Sequence, residues 1–265
     1  MMMMSVNGRT ACWAAGLVLG VGTAGLLSGC QSAVRLDPNE PVNAMHSSVD
    51  SLRANLDSAY DDLEYRVRRG EFTAEERDAR LQEHAAAFVK NIDINRLPVD
   101  DLWKYGEIFR TAGRWDLARA AYALALKNAT TDDRRVNDSL KLAFAEVKLG
   151  NIPAAFPLVR STYQAAPGDK GAILPAVLLE IVPAAAGKGY EAEFAALLVE
   201  AIRQHETVVV DPETEGGRAF IAAKIYHIRN AWVLAINLYN KAGQTAQSAK
   251  TRQEAESSLR RFVPA

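Results

Sequence analysis

The chain has 265 residues, a formal net charge of −1 from 31 Lys and Arg against 32 Asp and Glu, and 49% hydrophobic side chains. That balance leaves no basic surplus of the kind a nucleic-acid backbone demands, and the densest cationic cluster, "RVRRG" (Arg66 to Gly70), fits the solvated end of a helix. The length and apolar content are enough to bury an ordinary core.

Residues 1–29 form a leader. Arg9 supplies a positive start, and "ACWAAGLVLGVGTAGLL" (Ala11 to Leu27) carries no charge. Such a run has the minimum length for a transmembrane helix, about 17 residues. Its glycines, and the small residues that end at a cysteine, fit a cleaved signal better. The segment "LSGC" (Leu27 to Cys30) resembles a bacterial lipobox. The resemblance implies that Cys30 is diacylated, becomes the new N-terminus and holds the protein to a membrane through its acyl chains. Cys12 lies in the leader, so no disulfide staples the mature chain. In lipoproteins of this kind Asp after the cysteine often means inner-membrane retention. Gln31 therefore implies the outer membrane, facing the periplasm, with the cell surface as the alternative. Residues 30–43 are a polar, proline-bearing tether; its twelve residues from Ser32 to Asn43 reach at most roughly 40 Å.

Residues 44–97 are expected to form a helical hairpin. Val49, Leu52, Leu56, Ala59, Leu63 and Val67 recur at steps of three and four, which makes one apolar helix face. Gly70 ends that helix, and Thr73 with Glu76 form a capping-box pattern for the next, which carries Leu81, Ala85, Phe88 and Ile92.

From residue 99 the pattern repeats. Leu102, Tyr105, Gly106 and Phe109 precede a turn at Gly113, and Ala118, Tyr122 and Ala125 follow it. Gly150 comes 37 residues after Gly113 (150 − 113), and Gly187 comes 37 after Gly150 (187 − 150). Small residues at Gly106 and Ala118 let paired helices approach, and the aromatics fill the space beside them. "GRWDLARAAYALA" (Gly113 to Ala125) also overlays "NAWVLAINLYNKA" (Asn230 to Ala242) without a gap, which predicts a fourth turn at Asn230. This pattern resembles the tetratricopeptide repeat. The resemblance covers residues 99–249 as about four hairpins, 99–132, 136–169, 173–206 and 216–249. The related Sel1-like repeats have a similar 37-residue step, with a weak likeness in "LYNKAG". Pro157 should kink or shorten the second helix of repeat two, and Pro183 strains the first helix of repeat three. Residues 250–265 close the array as a capping helix and tail, with a thin stripe of Ala249, Ala255, Leu259 and Phe262. The expected fold is thus all-α, an α-solenoid in which stacked hairpins bury what one hairpin cannot. The valines of the 208–217 loop, Val208, Val209 and Val210, are expected to pack on it, with an edge for a partner as the alternative.

Chemistry-bearing motifs are incomplete. "AGKGY" (Ala186 to Tyr190) lacks both the upstream glycine and the Ser/Thr of a phosphate loop. "DPETEGG" (Asp211 to Gly217) begins like a calcium loop, but Ala222 stands where a bidentate Glu is required. His46, His84, His205 and His227 share no ligand spacing, and no nucleophile sits in a catalytic context. The expectation is a non-enzyme with no cofactor, no metal and no nucleic-acid partner.

Function then falls to a surface. In repeats of this family the first helix of each hairpin lines a concave groove. Carried over by register, the resemblance implies that Trp103, Glu107 and Arg110 of repeat one, Asn137, Leu140, Phe144 and Lys148 of repeat two, Val177 and Ile181 of repeat three, and Phe220, Lys224 and His227 of repeat four form a protein-binding groove. Trp103 is the expected anchor, unless it packs on the preceding hairpin. Trp103 and Glu107 stand where the family's two-carboxylate clamp needs Lys and Asn, which argues against that ligand. The sequence supports a lipid-anchored envelope scaffold that binds a protein or peptide, assisting assembly or regulation of an envelope complex. The alternative is a carrier for a small ligand or lipid with a closed apolar cavity.

Overall fold

The computed structural model describes residues 48–262; the expected leader, Cys30, the expected tether, residues 44–47 and the last three residues lie outside the described residues. Among the described residues the protein is all helical, with no strand. None of these helices is long and apolar enough to cross a membrane.

α1 (Val49–Arg68) and α2 (Ala74–Val89) form the expected hairpin. The Ser48 side chain caps α1 by accepting from the Ser51 N–H, and Val49, Leu52 and Leu56 are buried. Gly70 turns the chain at φ +73°. Thr73 and Glu76 then satisfy each other's backbone N–H groups at 3.1 and 2.8 Å, so α2 starts where the capping box places it.

α3 (Leu102–Thr111) and α4 (Trp115–Lys127) follow, joined at Gly113, and α5 (Asp132–Lys148) and α6 (Ile152–Ser161) are joined at Gly150. Both glycines have positive φ, as a tight helix-to-helix turn requires. α6 contains Pro157, stops after ten residues and passes into a 3₁₀ turn, Thr162–Gln164, in line with the shortening expected there.

The next helical segment is composite: α7 (Ile173–Ala176), a π turn (Val177–Ile181) and α8 (Val182–Ala184). Pro183 cannot donate and its ring crowds the carbonyl four residues back. The wider π turn just before it gives that carbonyl room. Gly187, again at positive φ, precedes α9 (Glu191–Glu206).

The fourth hairpin departs from expectation. α10 (Glu215–Lys241) runs 27 residues without a break, straight through Asn230. The turn comes at Gly243, φ +71°, and α11 (Thr245–Arg260) follows it. The overlay of Gly113–Ala125 on Asn230–Ala242 therefore matched the second helix of one hairpin with the first helix of another. The face that α11 buries is Ser248, Thr251, Ala255 and Ser258, and Ala249 is exposed. In the preceding loop Val208 is buried as expected, whereas Val209 is 77% exposed.

Successive helices pack on one another from α1 to α6 and again from α9 to α11. The buried side chains form two cores, one over α1–α4 and one over α5–α11. α5 serves both: Leu142 and Ala145 face the first, while Val136, Leu140, Ala143 and Val147 face the second. It also packs against α7, the π turn and α8.

Candidate binding face

α3 buries Leu102, Tyr105, Gly106, Ile108 and Phe109. That leaves Trp103, Glu107 and Arg110, at i, i+4 and i+7, together on its other side. α5 presents Arg134, Asp138, Lys141 and Phe144 toward them. Lys141 Nζ lies 2.5 Å from Glu107 Oε1. The Arg110 guanidinium sits 4.8 Å above the Phe144 ring and continues to Glu180 Oε2, 3.1 Å away on the π turn. A side chain of α3 thus passes α5 and reaches the π turn. Trp115 meets Phe144 in a T-shaped contact with ring centres 5.2 Å apart, and Lys148 Nζ lies 5.1 Å from the Trp115 ring.

Trp103 is half-buried among cations. Arg134, Arg53, Lys141 and Lys104 stand 4.6, 5.2, 5.2 and 5.9 Å from its ring centre. Lys104 is held by Asp50 at 2.9 Å and Asp101 at 3.0 Å, and Arg134 donates to both oxygens of Asp138 at 2.9 and 2.6 Å. Among the described residues only Arg53 of the four lacks a carboxylate partner. Because Arg53 belongs to α1, Trp103 also marks the seam between the α1–α2 hairpin and α3.

Electrostatics here follow burial and pairing. Desolvation pushes the Glu107 carboxyl up, but the charges of Lys141 and Arg110 outweigh it and hold its pKa below the ordinary value. For Asp138 burial wins, and its pKa is raised in spite of Arg134 and Lys141. Burial also pushes the Tyr122 phenol well up, helped by the neighbouring Glu107 charge.

Several groove residues have other duties. Leu140, Val177 and Ile181 are core side chains, so the apolar floor expected from them is not open to a ligand. Asn137 donates to the backbone and side chain of Asp133 on its own helix, at 2.9 Å each. Phe220, Lys224 and His227 lie on α10 rather than on a separate first helix, and they form a second cluster. Phe220 packs 4.9 Å from His205, Lys224 Nζ donates to the Glu206 and Val208 carbonyls at 3.2 Å each, and His227 lies 6.1 Å from His205. That cluster seals α10 onto the end of α9.

No family model matches this chain, and comparison with curated proteins and with solved structures finds no match. Among the described residues no group of three or more His, Cys, Asp or Glu could hold a metal ion. Two open hollows are lined largely by polar and charged residues. One, of about 610 Å³, is lined by Arg203, Glu206, Trp232, Lys250 and Arg261; the other, of about 550 Å³, by Ser51, Asn55, Ser58, Asp62 and His84.

The register of α3 and α5 pointed to Trp103, Glu107, Arg110 and Phe144. It missed Lys141, which follows Glu107 by 34 residues (141 − 107) and so falls off the 37-residue step of the turn glycines. Asp138 and Arg134 carried the i, i+4 signal of a helix ion pair. Glu180 gave no signal, because the π turn shifts its direction.

Proposed function

We propose that this chain is a tetratricopeptide-like adaptor, anchored in the outer membrane by acyl chains on Cys30, that holds a segment of another envelope protein against the inner faces of its first helices. It acts by binding and not by catalysis, with no cofactor. One observation carries the reading. Three glycines at positive φ, Gly113, Gly150 and Gly187, stand 37 residues apart, each between two packed helical segments, and side chains of α3 reach α5 and the 173–184 segment. Trp103 and Phe144 on those inner faces, with Arg53, Arg110 and Lys141 around them, suit a partner that offers both an apolar side chain and carboxylates. The open hollows give little support to a carrier that encloses an apolar ligand.

A photo-crosslinking side chain at position 103 of the membrane-anchored chain tests this. One recurrent protein adduct at 103, absent with the same probe at the exposed Glu256, is the expected outcome. No adduct at 103, or identical adducts at both positions, would count against the groove.

A further inference from the structure

α11 covers only part of α10. It turns back at Gly243 and runs antiparallel, with Trp232 Nε1 donating to Ser258 Oγ at 3.3 Å, and it ends at Arg260. At equal rise per residue on either side of the Gly243 turn, its last turn lies beside about residues 226–229 of α10. The half of α10 before that point packs on α9 but has nothing from α11 against it. This half exposes large apolar side chains: Ile221 is 47% exposed, Ile225 45% and Tyr226 60%, and Val233 further on is 52% exposed. At about 100° per residue all four fall on one side of the helix. An apolar stripe of that kind on a soluble domain marks a contact surface.

Charge placement on the stripe identifies the occupant. Glu215 and Arg229 are both exposed, and neither has an ion-pair partner among the described residues. They lie seven residues on either side of Ala222 (222 − 215 and 229 − 222), so all three fall on nearly the same line along the helix. A two-fold axis through Ala222 brings Glu215 of one copy to Arg229 of the other, twice. The same operation sets Arg218 beside Tyr226 and Ile225 beside Ala219, and the small Ala219, Ala222 and Ala223 let the two axes approach closely. A parallel pairing would instead put like charges together. We propose that α10 pairs antiparallel with α10 of a second copy of this chain, through the face centred on Ala222. This contact is independent of the groove and of its partner.

A face that carries its own complement about a central small residue is what an isologous interface requires. Sedimentation equilibrium of the full chain in density-matched detergent reads the result. The wild-type chain should be a dimer, and Arg229→Glu should weaken it at least tenfold by placing two like-charge pairs at the contact. Combining Glu215→Arg with Arg229→Glu should recover wild-type association. A wild-type chain that stays monomeric up to about 100 µM overturns the proposal, since a specific dimer has a Kd well below that. So does a dimer indifferent to Arg229→Glu, or a double reversal no stronger than the single one.

Discussion

Gly106 on α3 and Tyr122 on α4 occupy one space: a Cβ built on Gly106 would stand 2.9 Å from Cζ of the Tyr122 ring and closer still to Cδ1 and Cε1. Tyr122 is 1% exposed and cannot swing aside. Alanine at 106 would gain helix propensity, about 1 kcal/mol, but would overpack the seam, typically at a cost of about 1–3 kcal/mol. Gly106→Ala should therefore destabilise the wild-type chain. In a Tyr122→Leu background the same change should become neutral or stabilising. Denaturant midpoints for the four chains check that reversal of sign. Ala118, fully buried in the same seam, should resist enlargement too, so that Ala118→Leu costs about 1–3 kcal/mol and the exposed Glu256→Ala almost nothing.

Ser258 joins three elements. Its hydroxyl accepts from the Trp232 indole and donates to Glu206 Oε1 at 2.5 Å, and Arg261 pairs with the same carboxylate at 2.9 Å. Ser258→Ala removes a buried partner from Trp232, which usually costs about 1–3 kcal/mol. Ser257→Ala, one residue away and exposed, should change stability by less than about 0.5 kcal/mol. Thermal unfolding of both variants separates a specific network from a general effect on α11.

His205 is fully buried, and neither ring nitrogen has a hydrogen-bond partner among the described residues. Burial, together with the His227 and Lys224 charges, lowers its pKa to about 3. The unfolded chain takes up a proton near pH 6.5 that the folded chain refuses until about pH 3. Its contribution to stability is thus fully present above pH 6.5 and is lost as the pH falls, at about 1.4 kcal/mol per unit. At pH 5 the wild type should be about 2 kcal/mol less stable than at pH 7. His205→Leu should flatten that slope without loss at pH 7, because it removes an unsatisfied polar group. Urea titrations at the two pH values decide the matter.

Cys30→Ala tests the anchor. One saturated chain binds membranes only marginally, whereas two or more hold firmly. The variant should leave salt-washed membranes and appear in the soluble fraction. Retention would favour an uncleaved apolar helix over acylation.

The local devices were legible in the sequence. The capping box at Thr73 and Glu76 and the glycines at 70, 113, 150 and 187 mark real ends and turns, because each answers a backbone need that few residues can meet. The apolar stripe was less discriminating. Trp232, Ala235 and Tyr239 recur at i, i+3 and i+7, as any buried helix face does, so they match Trp115, Ala118 and Tyr122 without sharing their place in a hairpin. The binding face was half legible. Trp103 and Phe144 follow from helix register, but their cationic surroundings come from α1, α5 and the π turn, and packing between elements is what a single-helix pattern cannot carry. His205 was hidden for the same reason: burial by α10 makes it unusual, and nothing in its own neighbourhood of sequence does.

Asn230 and Gly243 give the sharpest test of that register. Asn230 lies inside α10, so Asn230→Ala should stabilise by a few tenths of a kcal/mol through helix propensity, up to about 0.7. Gly243 stands at φ +71° with no atom within 4 Å of where a Cβ would be. Its substitution therefore meets no clash, only the cost of the left-handed region, about 1–2 kcal/mol for a residue with a side chain. Gly243→Ala should destabilise by that amount. A turn at Asn230 would demand the reverse: loss with Asn230→Ala, and indifference at Gly243. The sign of the Asn230→Ala shift, and whether Gly243→Ala shifts the midpoint at all, thus tell which residue reverses the chain.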